Sequence, residues 1–455
     1  MKKQKISFIL MLLGIIMFAA CSDKDEPEQS FTISVKPATL SLIVGQSETL
    51  TVTGAPKDAE ITWRSSNEQV AKVRNGRVEA VGEGSANIMV IARKGNISSE
   101  AQCQLTVKKA VLEKYISFDD AYLNKTLLEI PGLDANKDGE ISPEEAKTIH
   151  KLDFSYPAGE SVPVEKTIKS LKGLEYFVNL DTLTLNYHKI SDATPISKLS
   201  KLSQLHLGGN PITAIDLSNL KELRDLRIFK CEIANLNLAN NTKLEILDIH
   251  NTSIGSIDLT PLKELSIIVA RETKLTKIEL KDLPKLTGVD LRQSLLQEIV
   301  VSNLPKLEKL YIEQNQISKI QLSNLPELQH LVAYENQIGK IDFELPKLMF
   351  LTIHQNKITE ADFSKMPMLF RCYMSNNLLK KADFSNNKVI AQIEMSEMPN
   401  LEIIDLKNGE FSDNAEYEML YNNVKLKKIR VDSGAEEAYV KGLVKNFPDI
   451  EVITE

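Results

Sequence analysis

From Asp134 to Glu145 the chain reads DANKDGEISPEE, and oxygen-bearing residues recur through it at fixed places. Asp134, Asn136 and Asp138 offer side-chain oxygens at the first, third and fifth positions. Glu140 offers its backbone carbonyl at the seventh, Ser142 can act through a water at the ninth, and Glu145 can grip with both carboxylate oxygens at the twelfth. Gly139 stands sixth, where the chain must turn sharply. Alternate spacing brings these oxygens to one centre, and a hard cation there offsets three carboxylates that would otherwise repel. An all-oxygen donor set of this size suits Ca2+.

The twelve residues resemble the loop of EF-hand proteins. The resemblance implies a calcium site made by Asp134, Asn136, Asp138, Glu140, Ser142 and Glu145. FDDAYLNKTLLEI provides an entering helix and PEEAKTIHKL an exiting one, with Pro143 suited to its first turn. No second loop of this kind occurs in the sequence. Sensor hands expose a groove by opening helix pairs, and a lone loop has no partner to open against. The expectation is therefore a structural calcium that orders a junction.

Other chemistry finds little support. Gly-x-Ser-x-Gly, His-Glu-x-x-His, Walker and dinucleotide glycine patterns are all missing from the sequence. The formal net charge is -7, with no long block of like charge, which argues against a nucleic-acid partner. Four cysteines (Cys21, Cys103, Cys231 and Cys372) lie far apart and show no disulfide-framework spacing. The chain is expected not to be an enzyme.

The elements that carry the loop are legible as periods. Leu202, Leu223, Leu244, Leu265, Leu286, Leu307 and Leu328 recur every 21 residues, and Leu348 and Leu369 continue the series. Within LEKLYIEQNQISKIQLSNLPE, Leu310 and Ile312 alternate on one short strand and must face a core. No single copy can bury that face, so copies stack into a solenoid. The ninth place of each copy holds a small or polar residue: Asn210, Cys231, Thr252, Thr273, Ser294, Asn315, Asn336, Asn356 and Asn377. Such a column suits side chains that bond a turning backbone, which also makes Cys231 a core residue. The pattern Leu-x-x-Leu-x-Leu-x-x-Asn resembles the leucine-rich repeat family. The array is imperfect near Leu180, widely spaced near Leu401 and Leu426, and closed by an amphipathic helix in EEAYVKGLVKNF.

Between Phe31 and Lys108 short runs alternate apolar and polar residues, separated by Gly45, Gly76, Gly82 and Gly95, as in a β-sandwich. ITWRSSNEQVAKVRNGRVEAVGEGSANIMV resembles the group-two bacterial Ig-like domain, with Trp63 expected in its core. The resemblance implies a stalk-like role.

Residues 1–20 carry Lys2, Lys3 and Lys5 before an apolar run ending at FAAC, the pattern of an export signal. Small residues before Cys21 resemble the lipobox of bacterial lipoproteins, which implies that Cys21 is acylated. SDKDEPEQ then lacks core-forming residues and reads as an acidic tether within residues 21–30. An acidic patch after a lipid cysteine resembles the surface-export signal of Bacteroidota-type lipoproteins. It implies an outer-membrane protein, held by lipid alone and facing the cell exterior. The expected organisation is multidomain: signal 1–20, tether 21–30, Ig-like β-sandwich 31–108, EF-hand-like helical segment and cap 109–155, and parallel-β leucine-rich repeat solenoid 156–455.

On each repeat strand the residues flanking the buried pair must face outward to the concave side. Those places hold Tyr311, His330, Tyr334, Phe350, His354 and Tyr373 in the later repeats, and His206, Phe229 and His250 in the earlier ones. Arg271 and Arg292 share one column between the two groups. No two of His206, His250 and His354 lie in neighbouring repeats, and two strand spacings put side chains about 10 Å apart, too far for one zinc ion. The later cluster is expected to form the centre of a ligand site and the arginines its charged flank. The expected function is recognition of, or adhesion to, a protein or peptide partner. A surface glycan-binding protein is the alternative.

Overall fold

The computed structural model describes residues 30–109, 114–157 and 162–455. The signal, Cys21 and nearly all of the tether lie outside these. The chain forms two compact units, within residues 1–112 and 113–455.

The first unit is a small β-sandwich with its own core. Gly84–Lys94 and Ile97–Lys108 pair antiparallel, Glu60–Ser65 adds to one side and Thr39–Ile43 to the other. A three-stranded sheet of Ser47–Thr49, Arg77–Ala80 and Ala71–Arg74 makes the second layer. Alternate residues Ile88, Val90, Cys103, Leu105 and Val107 are buried between them. Trp63 is partly buried against this core, and its ring lies over the Asn75–Gly76 turn, where a Cβ on Gly76 would come within 3.3 Å.

The second unit is a solenoid around one continuous core that runs from Ile116 to Val444. Its concave side is a 13-stranded parallel sheet of three-residue strands, from Lys151–Asp153 through His330–Val332 to Glu416–Glu418. The ninth-place column does what its chemistry suggests. Asn336 Nδ2 donates to the carbonyls of Ile312, Ala333 and Tyr334 at 3.0–3.2 Å, and Ile317 N–H donates to its Oδ1 at 2.9 Å. Cys231 fills the same place and points its thiol at Leu207 O, 3.4 Å away, while burial pushes that thiol up to about 11.

One residue earlier the backbone turns left-handed in successive repeats: Lys230, Asn251, Glu272, Gln293, Gln314, Glu335, Gln355 and Asn376 all have φ between 52° and 58°. The turn aims the ninth residue inward. A second left-handed column, Asp282, Asn303 and Asn324, follows the back-side strands Lys277–Lys281, Glu298–Ser302 and Lys319–Ser323. Where the step from Leu328 to Leu348 shortens to 20 residues, that three-stranded back sheet ends.

Three expectations change. Leu401 and Leu426 open no concave strand. They precede Ile403–Asp405 and Lys428–Arg430 in a four-stranded back sheet, while the 21-residue period continues at Ile390, before the concave strand Gln392–Glu394. Isoleucine at a leucine place hid the copy. The exiting helix of the loop segment is one turn, Pro143–Ala146, because Lys151–Asp153 is already committed to pairing with Thr182–Thr184. The solenoid sheet thus begins before residue 156, and the loop segment shares its core through Leu123, Leu127, Leu133 and Ile141. The closing helix, Ala435–Leu443, buries Val440 and Glu436 at the other end.

Candidate functional site

Each concave strand turns the third, fifth and seventh residues of its repeat outward, and neighbouring strands align them in columns. His330 lies beside Phe350 and then Arg371 in one column, and Tyr311, Val332, Thr352 and Tyr373 form the next. Tyr334 and His354 stand in the third. The predicted aromatic residues do come together, as stacks. His330 stacks on Phe350 with centroids 4.6 Å apart and planes 17° from parallel. Tyr334 stacks on His354 at 4.5 Å and 7°. The two stacks lie four residues apart along the strands, about 13 Å, with Val332 and Thr352 between them. Tyr311 and Tyr373 close the ends of that middle column, three strand spacings or about 14 Å apart.

Stacking has two consequences. The six rings are half-buried rather than fully exposed. Their faces cover each other or are covered by cations, so the rims turn toward solvent. Arg292 lies over the Tyr311 ring at 5.2 Å, and Arg371 over Phe350 at 5.4 Å and Tyr373 at 5.2 Å. Burial pushes His330 and His354 below the ordinary imidazole range, which favours neutral rings at neutral pH.

The two arginines are not equivalent. Arg292 holds Asp290 with Nε and Nη2 at 2.8 and 3.1 Å and meets Glu313 through Nη1 at 3.5 Å. It is neutralised within the protein, so the expected charged flank is weaker than its residue types suggest. Glu313 is 3% exposed, its Oε2 finds no hydrogen-bond partner, and burial pushes it above the usual carboxylate range. Its place in the seventh-residue column could have marked it, had that column been read for acids as well as rings. Arg271 has no ion pair among the described residues, and its Nε is buried without a partner. The earlier repeats follow the Arg292 pattern, with His250 on Asp248 at 2.7 Å, Arg227 on Asp225 at 2.9 Å and His206 on Asp225 at 3.1 Å. Phe229 stacks on His250 at 4.8 Å and 4°.

The Asp134–Glu145 loop turns sharply about Gly139. Gly139 takes φ 82° and Lys137 φ 58°. Asp134 accepts from the N–H groups of Asp138 and Gly139 at 3.1 and 3.0 Å, Asn136 Oδ1 from Asp138 N–H at 2.9 Å, and Asp138 Oδ1 from Glu140 N–H at 3.0 Å. Glu145 instead closes a capping box. Its Oε2 accepts from Ser142 N–H and hydroxyl at 2.9 and 2.8 Å, and its Oε1 from Ala135 N–H at 3.0 Å. Among the described residues no three His, Cys, Asp or Glu groups converge as a metal-holding set. The turn and the donor types fit a hard cation, while the carboxylates that were expected to converge are each satisfied by nearby N–H and O–H groups.

Comparison with known proteins places these parts. The group 2 bacterial Ig-like domain family matches residues 31–103. The functional domain of InlJ from Listeria monocytogenes is similar with a TM-score of 0.50 at 21% identity, covering 69% of this chain and 74% of that one. The chain is an Ig-like domain followed by a leucine-rich-repeat-like solenoid. An internalin (inlF) of Listeria monocytogenes is 24% identical over 69% of this chain and 95% of its own, with a TM-score of 0.45. A leucine-rich repeat protein of Leptospira interrogans is 18% identical over 69% and 85%, with a TM-score of 0.41. A search of curated proteins finds no match.

Proposed function

We propose that this is a non-enzymatic recognition protein, lipid-anchored at Cys21 to the outer membrane and facing the cell exterior, whose solenoid binds a protein partner on its concave face. The observation that carries the reading is the patch framed by the His330–Phe350 and Tyr334–His354 stacks and closed by Tyr311 and Tyr373. Ring edges, hydroxyls and imidazole nitrogens around an apolar floor suit side chains and backbone amides of a protein surface. A glycan platform instead needs open ring faces, and here stacking and Arg371 occupy several of them. The loop residues Asp134, Asn136, Asp138, Glu140, Ser142 and Glu145 would hold a structural Ca2+, which supplies positive charge at the solenoid's first coil and no reaction chemistry.

Tests follow from each part. The purified protein is screened against panels of surface proteins and of glycans, and any hit is re-measured with the Tyr334→Ala/Tyr373→Ala pair. Affinity should fall by about 2–4 kcal/mol while the fold is kept. An unchanged affinity, or glycan hits alone, would remove the protein-binding reading. Cys21→Ser should release the protein from membranes, and protease added to intact cells should cut the wild type. Membrane retention of the variant or full protection of the wild type would defeat the anchoring and the orientation respectively.

A further inference from the structure

Gly288 interrupts the third-residue column between Ile267 and Lys309, its neighbours in register. With no side chain there, the concave sheet has a notch of about 270 Å³, whose lining includes Ile267, Val269, Gly288, Lys309 and Tyr311 as well as the acidic Asp290 and Glu308, so the apolar residue and not the acid of a ligand belongs in it. Its floor and one wall are apolar, and Ile267 is 40% exposed beside it. A Cβ built on Gly288 would meet nothing within 4 Å, so neither close approach nor strain demands glycine at this place. The gap opens to the concave face and is wide enough for one branched or aromatic side chain.

Four residues along the strand from Ile267, about 13 Å, stands Arg271. The reason for its missing ion pair lies two residues before it. His250 has Asp248 there and Arg292 has Asp290, each in hydrogen-bond contact, whereas Arg271 has Val269. Arg292 meets two carboxylates and Arg271 none among the described residues, and the buried Nε of Arg271 is left without an acceptor. A guanidinium whose donors are partly desolvated and unmatched gains most from an incoming carboxylate, which can accept two N–H bonds at once.

We propose that this part of the concave face is a subsite for an extended acidic peptide segment, its apolar side chain in the Gly288 notch and its carboxylate on Arg271. In an extended chain, same-side residues four apart are separated by about 13 Å, so a Leu- or Phe-type residue and a Glu or Asp at that spacing reach both features. This assignment rests on the protein-binding reading above and names the partner's chemistry for it. It also places the charge-reading element at Arg271 alone, one repeat away from the neutralised Arg292.

The test is peptide display. Random dodecapeptides are selected on the purified protein, and the enriched sequences are synthesised and titrated against Gly288→Leu, Arg271→Gln, Val269→Asp and the Tyr334→Ala/Tyr373→Ala pair. Gly288→Leu fills the notch from within. Val269→Asp restores to Arg271 the carboxylate its neighbours have, without removing the arginine. Enriched peptides should carry an apolar residue four places from an acid, and should bind each of the three single variants at least tenfold more weakly. Their Glu→Gln versions should lose a similar factor on the wild type and little on Arg271→Gln. Melting curves confirm that each variant is folded. Peptides lacking the pair, binding that survives Gly288→Leu and Arg271→Gln, or no enrichment at all would overturn the subsite. If such peptides are still lost on the tyrosine pair, the concave protein-binding reading stands without it. If they bind every variant alike, that reading falls as well.

Discussion

The two ends of the solenoid each bury a carboxylate, and they treat it differently. At the first end Asp120 caps the helix Ala121–Leu128, with Oδ1 accepting from Tyr122 and Leu123 N–H at 3.0 and 2.9 Å. Its Oδ2 accepts from Lys169 and Ser170 N–H at 2.7 and 3.3 Å, so one side chain ties the loop segment to the first full coil. At the last end Glu436 is 1% exposed, and among the described residues it accepts only from Asp432 N–H at 2.8 Å and the Tyr417 hydroxyl at 3.3 Å. Burial outweighs those bonds and pushes Glu436 up to about 7. Four donors make a buried acid a fastener, and two leave it a group that titrates near neutrality.

The comparison breaks most visibly at Asp120. Asp120→Ala orphans four N–H groups and should cost about 4 kcal/mol, read as a lower urea midpoint and faster proteolysis within residues 114–157. Asp120→Asn keeps one acceptor oxygen and should recover part of the loss. Glu436 sharpens the contrast through pH. Its folded value lies above the ordinary 4.5, so its contribution is fully present below about 4.5 and is lost as pH rises to about 7. The total is roughly 3 kcal/mol at most, and Glu436→Gln should flatten the pH dependence of the melting temperature over that window. A wild-type profile already flat between pH 5 and 7 would contradict the assignment.

A calcium effect is expected at the first end only. If the loop binds it, a hundredfold excess over Kd adds about 2.7 kcal/mol, lost on chelation and in Asp134→Ala or Glu145→Ala. Glu145→Ala also removes the capping box, so its metal-free stability must be compared separately. A melting temperature indifferent to calcium in the wild type would leave the junction to Asp120 and the other direct contacts, such as Asp119 with Lys172 and Tyr156 with Lys166 O. The smallest effect lies between the ends, where Gln355 holds a left-handed φ of 52°. Gln355→Gly should be neutral or raise stability by up to about 1 kcal/mol, because glycine adopts that conformation without a Cβ clash.

Periodicity made the coils, the strand faces and the ninth-residue ladder legible, because each is a repeated solution to one burial problem. Ile390 escaped because one side chain stood in for another of equal hydrophobicity. The left-handed eighth place escaped for a deeper reason. Lys230, Glu272 and Glu335 are not residues that signal φ > 0, and the hydrogen bonds of the next side chain impose the turn. At the candidate site, residue types foretold the aromatic cluster but not its stacking, and not which arginine is paired. Asp290 and Val269 decide that, a signal carried by the residue two places before each arginine rather than by the arginine column itself.

The asparagine ladder also sets the size of change the molecule tolerates. Asn336 reaches back 24 residues to Ile312 O, and Ile317 N–H reaches forward to Asn336, and the rungs at Asn210, Asn315, Asn356 and Asn377 span their joints in the same way. Excising Leu286–Lys306 whole brings Leu307 to the place of Leu286, leaves rungs meeting at the new joint, and shortens the concave sheet by one strand spacing, about 4.8 Å. Excising a run that shifts the ninth place relative to its strand leaves two coils whose carbonyls have no rung to meet. Lengthening or shortening by whole turns thus adds or deletes one row of the recognition face, whereas the 20-residue step from Leu328 to Leu348 trims the back side and keeps its rung at Asn356.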